Sequence, residues 1–319
     1  MALLRRSAKQ RLLDAWLLKQ RDDFHGQVSF RGATLREKAV FMSILSQHIK
    51  YTDRLSLPMF KHLFPLAIVA MTTAITPAAY AAEKNIQIQY LPPANQAEEQ
   101  MKADIETSGV NDTVIELSDT LFPFNKTLTI QYGSEDGPLY DPEKHTVHMP
   151  YHFYQEALDY FIKNKYDEKY GKEAKLGAMD TVLHTLLHEA GHAYIADQNI
   201  PILGKEEDAV DNLAAILMIE YLDDGDEAAI SAADMFAFES DDRPDYYDFG
   251  EYIDEHSFDL QRYFSTLCLV YGSNPEKHSN LLDEVENDYL ADRKDFCVFQ
   301  YQSLSDNWHT YLKEPVADQ

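Results

Sequence analysis

Residues 184–198 read HTLLHEAGHAYIADQ, and within them His188-Glu189-Ala190-Gly191-His192 is a His-Glu-x-x-His run. Leu183, Leu186, Leu187 and Ala190 supply apolar residues at helical spacing, as a buried helix requires. Residues four apart on a helix leave the same face about one turn from each other, so the His188 and His192 rings can reach one ion at ~2.0–2.1 Å. Glu189 projects about 100° round from His188, beside such an ion, where a carboxylate can take a proton from metal-bound water. Gly191 costs ~1 kcal/mol against alanine inside a helix. A backbone that must leave room for a neighbouring element would explain it. The competing reading is a packed helix that happens to carry histidines.

A catalytic zinc needs a third protein ligand and an open position. His184 continues the row of histidines, but the eight residues from His184 to His192 span ~12 Å, too far for one ion to join both ends. His184 is therefore expected to pack or support. The next helix begins in GKEEDAVDNLAAIL, residues 204–217, where Glu207 and Asp211 share a face. Glu207 is the expected third ligand, and Asp211 the carboxylate that holds a ligand histidine's other ring nitrogen. Glu206 and Asp208 compete for the ligand role, because acidic residues are common at helix N-termini. The intervening NIPILG, residues 199–204, supplies a turn that folds the two helices side by side.

Upstream, KNIQIQY (84–90) alternates at period two and reads as a strand, and TVIEL (113–117), TLTIQY (127–132) and HTVHMP (145–150) are further strand candidates. Residues 97–107 suggest a short helix. Beyond Pro150 the chain turns helical, with segments expected at 151–170, 179–198, 206–222, 227–239, 252–271, 277–291 and 303–312. Strands first and helices after predict an α+β domain: a small N-terminal mixed sheet, then a mostly helical half carrying the His-Glu-x-x-His helix, in a zincin-like arrangement. HTVHM is the candidate edge strand for an extended peptide, or simply caps the sheet.

Charge divides the chain. Residues 1–58 hold 11 Lys/Arg against 5 Asp/Glu, whereas residues 82–319 hold 16 against 49. So acidic a body repels phosphate backbones and anionic lipid, which argues against a nucleic-acid partner and against membrane docking. Between the two parts, Met59, Lys61 and His62 precede an apolar run from Leu63 to Ile75 and then Ala79-Tyr80-Ala81. That order is the grammar of a signal peptide over 59–81, cleaved after Ala81. Residues 1–58 then read as an over-extended gene start, and 82–319 as a single mature domain, periplasmic or secreted. The alternative is a cytoplasmic tail with an uncleaved anchor, against which the run is short and bracketed by Pro65 and Pro77.

In an oxidising compartment the two cysteines, Cys268 and Cys297, most simply form one disulfide, two buried thiols being the alternative. For the oxyanion of peptide hydrolysis, the stretch YIDEHSFDLQRYF (252–264) offers His256 and Arg262, with Tyr246, Tyr247 and Tyr252 nearby. His256 is the residue favoured, against an ordinary histidine at a helix start. The acidic runs YLDDGDE and ESDDRPDYYD read as solvated loops without the spacing of an EF-hand.

The motif HEAGH, the short turn and EEDAVDNLAA resemble gluzincin-type metallopeptidases, and most of all an exported bacterial family of them. DEHSFDLQRYFSTLCLVYGSNP (254–275) and RKDFCVFQYQSLSDNWHTYL (293–312) are also similar to that family, so the resemblance covers most of residues 85–312 and nothing before Ala82. It implies a Zn2+-dependent hydrolase acting on peptides or proteins, with His188, His192 and Glu207 as ligands and Glu189 as base. Two other functions compete. One is a non-catalytic zinc-binding or scaffolding module, against which an intact Glu189 counts. The other is a hydrolase of a non-peptide amide.

Overall fold

A computed structural model of the chain describes residues 85–313 apart from Asp245 and Glu286. The expectations for residues 1–58 and for a signal peptide at 59–81 lie outside the described residues. Among those described, no helix is long and apolar enough to cross a membrane.

The fold is α+β, with a small sheet followed by a mostly helical region. The sheet holds β1 (Ile86–Tyr90), β2 (Leu128–Tyr132), β3 (Leu139–Asp141) and β4 (Thr146–Met149) in the order β1-β2-β4-β3. β1, β2 and β4 run parallel, and β3 is antiparallel to β4, pairing Tyr140 with Val147. The sheet is thus mixed, as expected. Its edge is not HTVHM, however. β4 is enclosed between β2 and β3, and the edge on that side is β3, a stretch for which no strand was expected. Three residues are too few to show alternation.

Two helices separate β1 from β2: α1 (Gln96–Ser108) and α2 (Val110–Thr120), joined at Gly109 in a left-handed conformation. α2 replaces the strand expected at 113–117. Its β-branched residues favour a strand locally, but Val110, Val114 and Leu117 are buried at helical period, so tertiary packing overrides propensity. The expected helix 151–170 divides into α3 (Tyr151–Lys163) and α4 (Tyr166–Tyr170), because Lys165 takes a positive φ of 56°. α5 (Ala174–Gln198) is the central element. It packs on α3, α6 (Glu206–Tyr221) and α7 (Gly225–Asp241), and reaches β3 and β4. Burial on nearly every side explains why its sequence is apolar almost all round.

Residues 252–271 do not form one helix. A single 3-10 turn (Glu251–Ile253) leads into an irregular segment, and α8 (Asp259–Ser273) starts only after Phe258. Gln261 accepts the Phe258 N–H at 3.1 Å and closes that helix start. Residues 275–285 make turns rather than the helix expected at 277–291, and α9 (Asn287–Trp308) absorbs most of the last predicted segment. Cys268 of α8 and Cys297 of α9 are disulfide-bonded across 29 residues, a closure contributing ~3–4 kcal/mol in the loop-entropy picture. Gly272 permits the close approach there, since a Cβ would collide with the Cys297 carbonyl oxygen.

Candidate metal centre

α5 and α6 lie side by side, and their contact begins at Gly191. A Cβ at this position would stand 3.0 Å from Val210 Cγ1 and 3.2 Å from Val210 Cβ, tighter than ordinary van der Waals contact. The glycine thus lets α6 approach the His-Glu-x-x-His turn and carry its first acidic turn over the two rings. Alanine here would gain ~1 kcal/mol of helix propensity but overpack against a stiff, fully buried valine, at a cost of ~1–3 kcal/mol. We expect Gly191→Ala to lower stability by up to ~2 kcal/mol in denaturant unfolding. A variant as stable as wild type would mean that the contact yields freely.

The close approach brings three donor atoms together. Glu207 Oε2 is 3.1 Å from His188 Nε2 and 3.2 Å from His192 Nε2, and the three donors all lie within 4.8 Å of one another. A tetrahedral ion with bonds of ~2.0–2.1 Å separates its ligand atoms by ~3.3 Å. The site therefore has the spacing, and the imidazole–imidazole–carboxylate chemistry, of a place for a divalent metal.

The far sides of both rings are also held. His188 Nδ1 pairs with Asp211 Oδ1 at 2.7 Å, and His192 Nδ1 with Glu206 Oε1 at 2.8 Å. Glu206, a competitor for the ligand role by sequence, stands behind a histidine instead. Asp208 faces a separate cavity with Asn212 and Ser257. Asp211 is itself gripped by Arg262 of α8, at 2.7 Å from Nε and 2.9 Å from Nη2. The guanidinium stacks over Phe236, its Cζ 4.0 Å from the ring centroid. Arg262 is thus placed behind the donor cluster rather than at its open side. Burial alone would raise the Asp211 carboxyl, but Arg262 and His188 outweigh it and hold the group well below the usual carboxylate range.

Burial disfavours charge on His188, yet the Asp211 and Glu207 carboxylates overcome this and push its pKa up to about 9. Glu189 is buried next to these rings. Burial pushes its carboxyl above the ordinary range, while His188, His192 and the backbone N–H of Tyr140 in β3 pull it back.

His256 arrives from the irregular segment before α8. Its Nε2 is 3.0 Å from Glu207 Oε2, and its ring lies parallel to that of His188 at 6.4 Å between centroids. Lys205, just before α6, donates to the carbonyls of Asp254 (3.1 Å) and His256 (2.8 Å), and so fastens this segment to the helix that carries Glu207. Tyr246 and Tyr252 are largely exposed, and Tyr247 packs on Phe258. His184 is fully buried one turn before His188, and its Nε2 has no hydrogen-bond partner.

These groups line a cleft of about 590 Å3, with Leu139 and Tyr140 of the edge strand on one wall and Lys205 to Glu207 with His256 on the other. A groove of similar size, about 630 Å3, follows the disulfide, but Arg293 is the one charged residue among its described lining.

A family model described as "Putative metallopeptidase" matches residues 90–312, a span that includes every residue of the cleft and both cysteines. Neither a curated protein nor a solved structure matches the chain significantly. Since the match takes in most of the chain and its donor cluster is one a metallopeptidase requires, the chain belongs to that metallopeptidase family.

Proposed function

We propose that the protein is a zinc peptidase of gluzincin type, exported by a signal peptide at 59–81 and acting in the periplasm or outside the cell as a single domain over 82–319. The observation that carries this reading is the convergence of His188, His192 and Glu207 at tetrahedral ligand spacing, with the Glu189 carboxylate beside them in an open cleft.

His188 and His192 would hold Zn2+ through Nε2 and Glu207 through Oε2. Asp211 and Glu206 accept hydrogen bonds from the Nδ1 atoms and so leave the Nε2 lone pairs facing the cluster. The bound ion supplies Lewis acidity, which brings the pKa of a water toward ~7. Glu189 takes a proton from the attacking water and later delivers it to the leaving amine. A carboxyl whose proton affinity is raised by burial suits both transfers. His256 donates a hydrogen bond to the carbonyl oxygen as negative charge develops on it, and Lys205 keeps the His256 segment in place for that task. The outer edge of β3 offers backbone groups to an extended peptide lying along the cleft.

Digestion of a broad peptide library tests the reading. We expect cleavage to stop after dialysis against a chelator and to return on adding one equivalent of Zn2+. Cleavage that persists in the metal-free protein would contradict it.

A further inference from the structure

A smaller cavity, of about 150 Å3, opens from the cleft between Glu189 and His256 and runs back between α5, α7 and α8. Its volume is on the scale of one amino-acid side chain. Phe153, Met235 and Phe236 provide apolar walls, and Thr181, His184, Glu239 and Arg262 are among the polar residues that line it. His184 is one of them, though its ring is completely buried and donates to the backbone of Asp211, and its Nε2, which has no partner among the described residues, is closed off from solvent. Glu239 is another. Among the described residues no hydrogen bond or ion pair reaches its carboxylate, and the nearby Arg262 is already bonded twice to Asp211. A largely buried carboxylate without a hydrogen-bond or ion-pair partner is a costly arrangement unless something occupies the cavity.

We propose that this cavity is a specificity pocket for a cationic, lysine-like side chain next to the scissile bond, with Glu239 as its ionic partner. The inference rests on the peptidase reading and supplies its substrate class. Aliphatic stem against apolar walls and ammonium against a carboxylate is the division of labour that a long cationic side chain needs. Burial, followed by the nearby Asp259, pushes the Glu239 carboxyl up to about 7 despite Arg262 and Arg243, and a cation in the cavity would favour its ionised form. The excess of 49 Asp/Glu over 16 Lys/Arg in residues 82–319 would also draw cationic peptides toward the cleft.

The test measures binding as well as turnover. Two matched dipeptide hydroxamates, one bearing a lysine side chain and one norleucine, are titrated calorimetrically into the zinc-loaded protein. We expect the lysine compound to bind at least ~30-fold more tightly, a ratio that falls below about 3-fold in both Glu239→Gln and Glu239→Ala. Unchanged affinity for the norleucine compound shows that the variants are folded. Equal affinities in wild type, or a ratio that survives both substitutions, would overturn the pocket. If the lysine preference holds but no library peptide is cut, the pocket stands and the peptidase reading falls. If neither hydroxamate binds, both fall.

Discussion

Glu189→Gln is expected to leave bound zinc at the wild-type level while slowing peptide hydrolysis by about 10²–10⁴-fold, the range for loss of a general base. The amide is nearly isosteric and can still accept the Tyr140 N–H, so the helix, both histidines and the cleft should stay as they are. It has no basicity, however, and cannot take the proton of a water. KM should change little, because the proposed contacts with substrate are made by β3 and the cleft walls rather than by this carboxylate. Metal content and kcat are measured on the same preparation. Undiminished kcat would remove Glu189 from the chemistry, and loss of zinc would assign it to metal binding instead.

Asp211→Ala should have the largest effect on the protein as a whole. Its carboxylate answers two neighbours, the Nδ1 of His188 and the guanidinium of Arg262, and all three groups are almost fully buried. Removing it strands a cation in the interior, at a cost of ~3–5 kcal/mol, and frees the orientation of a proposed ligand, which typically lowers metal affinity ~10–100-fold. Pairing Asp211→Leu with Arg262→Met separates the two effects. Replacing both partners should recover most of the stability, because no charge is left unanswered, but not the metal affinity, because His188 still lacks its acceptor. Denaturant unfolding and a competitive zinc titration read the two quantities independently. A double variant that regains both would show that Asp211 serves only to neutralise Arg262.

What was legible in the sequence is what depends on local periodicity. The apolar spacing around His188 sets a buried helix, and a four-residue interval is enough to bring Glu207 and Asp211 onto one face of the next. Gly191 in mid-helix signalled a close neighbour, and Val210 is that neighbour. Two cysteines in an otherwise cysteine-free chain left one pairing to consider, and they are bonded. What was hidden depends on contacts far apart in sequence. Arg262 lies 51 residues from Asp211, and nothing in its own neighbourhood distinguishes a buried counter-ion from a residue at the open side of the site. β3 is too short to show a period. The valines and isoleucine of α2 favour a strand until α2 packs against α5. Glu206 and Glu207 are adjacent and alike, and only the placement of His192 sends one to Nδ1 and the other toward Nε2.

The most direct test of the account is the number of zinc ions per chain, measured by elemental analysis of the wild-type protein and of Glu207→Ala after equal exposure to Zn2+ and removal of loosely bound metal. One ion in wild type, with retention sharply reduced in the variant, is the predicted result. A wild-type protein that retains no zinc, or a variant that retains it as well as wild type does, would contradict the His188–His192–Glu207 centre and the hydrolytic mechanism built on it.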